Sequence, residues 1–380
     1  MVPVFMTFSD GVNFLADGIG REVLESLREA GGTYPKEGAG IRAEVLKRVY
    51  DTMLADAGVD FTLHTTVIDV EVCDGEVTHA VLSAKSGVYA LKAKTFIDCT
   101  GDGDLCAAAG VPYEKGAADG NLMPGTLCSL WANVDWDGYH RSKTNVHEEL
   151  LKAFDDGVFT VKDRHLPGMW RVGDTVSGGN IGHTFGVDGT DERSLTAALI
   201  RGRRMLLEYE RFYKEYIPGF ADIELVTTGS LLGIRETRRI TGDYILNIDD
   251  FKARAVFDDE IGRYCYPVDI HPSSPNVENY EQFEKEFREM YRYDRGESYG
   301  VPYRTLVPKD LNNVLVAGRC ISADRYIQGS IRVMPGCYIT GQAAGMAAAM
   351  AIEKSTDTRG ISVPDLQSRL KAMGACLPNS

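Results

Sequence analysis

The chain has 380 residues, 44% hydrophobic and 25% charged, the balance of a globular protein with room for two domains or one core carrying an inserted lobe. Its 55 acidic against 41 basic side chains give a formal charge of −14, which repels nucleic-acid backbones and anionic membranes at long range and excludes both as expected partners. None of the eight cysteines has C-x-x-C spacing, so no zinc ribbon, iron–sulfur cluster or other metal centre is expected, and scattered thiols suit a reducing, cytoplasmic compartment.

The opening MVPVFMTFSDG has no basic n-region and too short an apolar run for a signal peptide. Apolar spacing then predicts a helix over 20–32 (Val23, Leu24, Leu27, closed by Gly31 and Gly32) and a stronger one over 40–58. VDFTLHT (59–65) reads as a buried strand. Alternating runs around Asp74-Gly75 and Ser86-Gly87 predict a three-stranded meander feeding a final buried strand. That strand enters FIDCTGDGDLCAAAG, where Asp98, Asp102 and Asp104 crowd around Gly101 and Gly103. A calcium loop starting at Asp98 needs a carboxylate where Ala109 stands, and a preceding helix, so calcium is rejected. Strand, glycine turn and small-residue helix is the arrangement by which open α/β sheets approach nucleotides. An ordinary surface turn is the alternative on these residues alone.

Residues 117–300 mix short strands, polar loops and helices (192–216 and 279–294) and read as a separate lobe. Within it GIRETRRITGDY carries Arg235, Arg238 and Arg239 around Glu236. If this stretch is helical, Arg235 and Arg239 lie one turn apart. They then serve either structural ion pairs or a clamp for a carboxylate or developing negative charge. His271 in YPVDIHPS ends a predicted strand, where it relays a proton, binds a substrate oxygen, or acts as a structural hydrogen-bonder. His183 in GGNIGHTFG is the weaker candidate. From 301 the buried-strand pattern returns: NNVLVAGR ends in Gly318, and a long helix begins near Pro335. Gly336, Gly341, Ala343, Ala344, Gly345 and Ala347 make it fit to lie against a sheet or a planar ring. Its 16-residue apolar run CYITGQAAGMAAAMAI is too short to span a bilayer.

FIDCTGDGDLCAAAGVPYEKG, GIRETRRITGDYIL, YPVDIH and VPYRTLVPKDLNNVLVAGRCISADRYIQGSIRVMPGCYITGQAAGMAAA together resemble the FAD-dependent oxidoreductase family, whose well-known relatives include the flavoprotein subunits of fumarate reductase and succinate dehydrogenase. The resemblance implies an α/β fold. A Rossmann-like FAD-binding domain made of 1–116 and 301–380 is interrupted by an α+β substrate lobe over 117–300. It implies FAD as cofactor, with Asp98, Thr100, Gly101, Asp102 and Gly103 near the ADP half, and Gly318 and Arg319 near the pyrophosphate and ribityl chain. Val333, Pro335, Gly336, Gly341, Gln342 and Ala343 are expected along the flavin's pyrimidine edge. His271, Arg235, Arg304 and Arg332 are the expected catalytic residues, at a substrate site between flavin and lobe.

One departure from the family pattern stands out. No buried first strand leads into a G-x-G-x-x-G turn; Gly18 and Gly20 lack both the strand and the third glycine, so the chain reads as N-terminally truncated after the first βαβ unit. The expected activity is hydride transfer between a small organic substrate and flavin. The alternatives are an electron-transfer subunit resembling the heterodisulfide reductase flavoprotein, and a non-catalytic remnant. The expected partners are a small-molecule substrate and an electron acceptor of unspecified kind, with homo-oligomerisation left open.

Overall fold

Two amphipathic helices lead the chain, which this computed structural model describes over residues 2–379. Helix α1 (Ile19–Glu29) buries Val23, Leu24 and Leu27, and α2 (Ala43–Asp56) buries Leu46 and Val49, the stripes that the spacing predicts. The buried strand expected over 59–65 does not form. His64 takes a left-handed conformation (φ 56°) that breaks any extended run, and Leu63 is 70% exposed with nothing packed over it. The meander does form: β1 (Thr66–Cys73), β2 (Glu76–Ala84) and β3 (Gly87–Lys92) pair antiparallel in sequence order. Asp74 and Gly75 both have positive φ, as a two-residue hairpin turn requires. The short buried strand β4 (Phe96–Asp98), the five-residue helix α3 (Asp104–Ala108) and β5 (Tyr113–Lys115) follow.

The next stretch has its own core. Strand β6 (Ser129–Ala132), helix α4 (Val146–Asp155), strands β7 (Gly168–Arg171) and β8 (Ser177–Asn180), helix α5 (Glu192–Tyr216) and strand β9 (Glu224–Thr228) build it. The antiparallel sheet runs β9-β6-β8-β7. Helix α5 starts where Asp191 accepts a hydrogen bond from Ser194 N (2.6 Å). It buries Ala198, Gly202, Leu206, Tyr209 and Phe212 at helical spacing. Trp131, Phe154, Phe159 and Phe220 complete an aromatic-rich cluster confined to residues 127–232.

Residues 238–240 form strand β10 (Arg238–Ile240), paired antiparallel with β5, not the helix that one reading of the arginine cluster needs. Alternation along a strand sends neighbouring side chains to opposite faces. Arg238 therefore reaches Asp104 (2.8 Å), while Arg239 reaches the fully buried Glu236 (2.8 Å) and Glu114 (3.2 Å). Strands β11 (Glu260–Tyr264) and β12 (Tyr299–Pro302) pair across an excursion carrying helix α6 (Val277–Lys285). Phe251, Ile261, Tyr264, Val268 and Tyr299 pack with Val23, Leu27, Ile339 and Ala343 in the larger core, so residues from 246 to 301 contribute to that core and not to the lobe's.

Strand β13 (Val314–Val316) runs parallel to β4, with Val314 opposite Phe96 and Val316 opposite Asp98. Then come α7 (Arg325–Ile331), α8 (Met334–Lys354) and α9 (Val363–Ala372). Pro335 sits in the first turn of α8 as the sequence predicts, and Ile339, Ala343, Ala347 and Met350 are buried beneath it. Among the described residues no helix is long and apolar enough to cross a membrane.

Candidate active site

Strands β4 and β13 end on the same edge, and each turns there through glycine. Gly101 and Gly318 both have φ near +78°, a conformation that side chains with a Cβ rarely adopt. Asp98 organises the first turn from beneath: Oδ1 accepts from Thr100 N (3.0 Å) and Oγ1 (2.8 Å), and Oδ2 accepts from Cys106 N (2.9 Å). Asp102 accepts from Arg319 Nη2 (2.8 Å) and Thr237 Oγ1 (2.6 Å), locking the first turn to the second. Asp98, Thr100, Asp102 and Gly103 thus hold the turn, while Gly101 faces the space above it.

That space is a cavity of about 450 Å³. Gly101, Gly318 and Arg319 form its floor; Val333, at the N-terminal cap of α8, lines it too, and Met334, Cys337 and Gly341 present one face of that helix to it. A Cβ added at Gly341 would meet nothing within 4 Å, so the wall is open there. The other α8 residues expected to face a cofactor point elsewhere. A Cβ on Gly336 would lie 2.3 Å from the Ile331 carbonyl oxygen, which makes this glycine a packing position. Ala343 is in the core, and Gln342 ties α8 to α1 by donating to Asp17 O (3.2 Å) and accepting from Ile19 N (3.2 Å).

Arg235, Arg332, Asp269, Tyr266 and His271 also line this cavity. Arg235 is buried and donates Nη1 to Pro124 O (2.8 Å) and Thr126 Oγ1 (2.9 Å); among the described residues no carboxylate pairs with it. Burial, and then the positive charge of Arg332, push its guanidinium down to about 10. Arg332 donates Nη2 to Asp269 Oδ2 (2.9 Å), while its Nε is buried without a hydrogen-bond partner among the described residues. His271 has both ring nitrogens turned to protein: Nε2 lies 3.3 Å from Asp269 Oδ2 and Nδ1 lies 2.9 Å from His183 Nε2. Burial, followed by the charge of Arg235, holds it well below its ordinary value near 6.5, so it is neutral. Tyr266 is pushed well above its ordinary value by burial and by Asp269.

A larger cavity of about 840 Å³, lined by Lys115, Arg239, Phe283 and Arg325, reaches the other side of His271. His165, which the sequence reading did not single out, packs against His271 and His183, at 4.4 and 4.9 Å between ring centroids.

Arg304 does not join the site. Its side chain is half exposed and forks onto Asp259 at 3.0 and 3.1 Å, away from both cavities. Replacing Arg304 with Ala should change stability by no more than about 0.5–1 kcal/mol, as for other exposed pairs. Thermal melting and cofactor binding, both expected at parental values, check this; lost cofactor binding would return Arg304 to the site.

The chain matches the family described as FAD dependent oxidoreductase over residues 1–370. No curated protein matches it by sequence. Similar solved structures include a geranylgeranyl bacteriochlorophyll reductase-like protein from Thermoplasma acidophilum (13% identity, TM-score 0.40, 89% of this chain and 60% of that one). Others are a triple mutant of a flavin-dependent brominase (11%, 0.40, 98% and 74%) and the L-proline dehydrogenase of P. horikoshii (10%, 0.36, 88% and 61%). The chain spans 60% of the length of the first of these structures. With its family match running nearly end to end, the chain belongs to the FAD dependent oxidoreductase family.

Proposed function

We propose that the chain binds FAD with its ring system in the 450 Å³ cavity, beside a small organic anion held by Arg235 and Arg332. The cavity is within the roughly 300–1,000 Å³ usual for small-molecule and cofactor sites. Its walls suit a planar group: glycine turns below, and a helix face left open at Gly341. When bound, the flavin supplies the hydride acceptor or donor that no side chain offers.

The observation that carries the reading is Arg235, a buried cation in the cavity wall without a carboxylate partner among the described residues. A buried charge is costly unless something pairs with it, and an anionic substrate is that partner. Arg332 adds a second cation, oriented by Asp269. His271 acts by position: its Nε2 faces Asp269 and holds that carboxylate, and through it Arg332, in place. The eight free thiols fit a reducing, cytoplasmic setting, which we include in the proposal. Titration with FAD, followed by quenching of flavin fluorescence, should saturate at a single equivalent per chain. FAD whose fluorescence stays unchanged at saturating protein would sink the reading.

A further inference from the structure

We propose that His165, His183 and His271 form a three-imidazole site for a late first-row divalent cation such as zinc, clipping the lobe to the larger core. Each offers one ring nitrogen, and these three atoms lie within 4.8 Å of one another. They come from three separate segments. His183 follows Ile181 of the lobe's core, His165 precedes Leu166 packed against that core, and His271 follows Val268 of the larger core.

The outer partners decide which atoms are free to ligate. His183 Nδ1 lies 2.9 Å from Asp163 Oδ2, off the line of a well-directed hydrogen bond but with a carboxylate as its nearest polar neighbour. His271 Nε2 faces Asp269 at 3.2–3.3 Å. A carboxylate accepts and cannot donate, so each of these nitrogens is best protonated. The proton of each neutral ring is then spent, and the two inward atoms, His183 Nε2 and His271 Nδ1, meet lone pair to lone pair at 2.9 Å. Something positive belongs between them. A third lone pair is at hand, because His165 Nε2 is buried with no hydrogen-bond partner among the described residues. Imidazoles backed by carboxylates are the usual surroundings of metal-ligating histidines, and an all-imidazole set favours zinc, copper, nickel or cobalt over magnesium or calcium.

A shared proton is the competing occupant. It accounts for the pair at 2.9 Å but leaves the third inward nitrogen, on His165, without a partner among the described residues. The nearby Arg235 and Arg332 oppose a dication, and Asp163 and Asp269 offset them. Ligation at ~2.0–2.1 Å sets nitrogens ~3.3 Å apart in a tetrahedral site, so His165 has to close in by about 1 Å or more. A water then takes the fourth position.

The proposal does not depend on flavin, and its test uses none. The full chain is stripped with chelator and titrated with zinc alone, following bound metal by equilibrium dialysis and stability by thermal melting. One equivalent should bind tightly and raise the melting temperature. His165→Gln and His183→Gln should each weaken binding at least ~100-fold, and Asp163→Asn by ~10–100-fold. His64→Gln, an exposed control, should change nothing. If His183→Gln fails to fold, His165→Gln, at the least buried of the three rings, and Asp163→Asn carry the comparison. No uptake at mildly alkaline pH would overturn the site, leaving the shared proton as the occupant. Equal affinity in His165→Gln and His64→Gln would overturn it in favour of surface imidazoles.

Discussion

Gly341→Leu should fold and purify without flavin. Gly341 lies inside α8 with no contact within 4 Å of an added Cβ, so the apo fold has room for the new side chain and a helix accepts leucine better than glycine. The added methyl groups would enter the cavity that the ring is proposed to fill. Overpacking of ~1–3 kcal/mol against a bound group corresponds to a loss of roughly 10–100-fold in affinity, more where the ring has no room to retreat. Gly336 would be a poorer choice, because a side chain there strikes the Ile331 carbonyl and unsettles the fold with or without cofactor. Circular dichroism should show parental melting for Gly341→Leu, and flavin titration should show the loss. Parental flavin affinity in this variant would move the ring off the α8 face.

Arg235→Met tests the other wall. Methionine keeps much of the volume and removes the charge. No carboxylate is orphaned; only Pro124 O and Thr126 Oγ1 lose a donor, at about 1 kcal/mol each. The fold should therefore survive. Loss of a single preorganised donor to a developing anion typically slows turnover ~10²–10³-fold. A panel of small carboxylates, followed by the shift each causes in the bound flavin's spectrum, should bind the parent and fail to bind this variant. Equal binding by both would remove Arg235 from the substrate's reach.

How much was legible in the sequence follows from how local each signal is. Helix α5 was readable to its ends, because a cap residue and a buried stripe both lie within the segment. The same holds for the meander, whose turns announce themselves as Asp-Gly and Ser-Gly, and for α8 with its Pro335 start. Residues 59–65 misled because Val59, Phe61 and Leu63 alternate with polar neighbours as a strand would, while burial depends on what packs over them. The arginine cluster misled for a related reason: charged residues fit either period, and the pairing of β10 with β5 across more than a hundred residues decided it. Of the expected cofactor contacts, Gly101, Gly318, Arg319, Val333 and Gly341 line the cavity. The sequence could not say which face of α8 turns outward, so Gly336, Gln342 and Ala343 looked equivalent to Gly341. His165 gave no signal at all. Its partner histidines are fixed by loops, and no spacing rule connects residues joined only by the fold.

The parallel pairing of β4 with β13 brings together strands more than two hundred residues apart in the chain. Closing a loop of that length costs about 5 kcal/mol of chain entropy before any contact rewards it. The lobe's aromatic core, whose members lie within about a hundred residues of one another, is spared only about 0.6 kcal/mol of that cost, but all of its members leave the ribosome before β13 does. The two glycine turns that floor the cavity therefore come together late in folding, when most of the chain has been synthesised. A ligand that binds only the finished edge stabilises that closure by mass action. Cofactor supply during synthesis would then set the yield of folded protein as well as its activity.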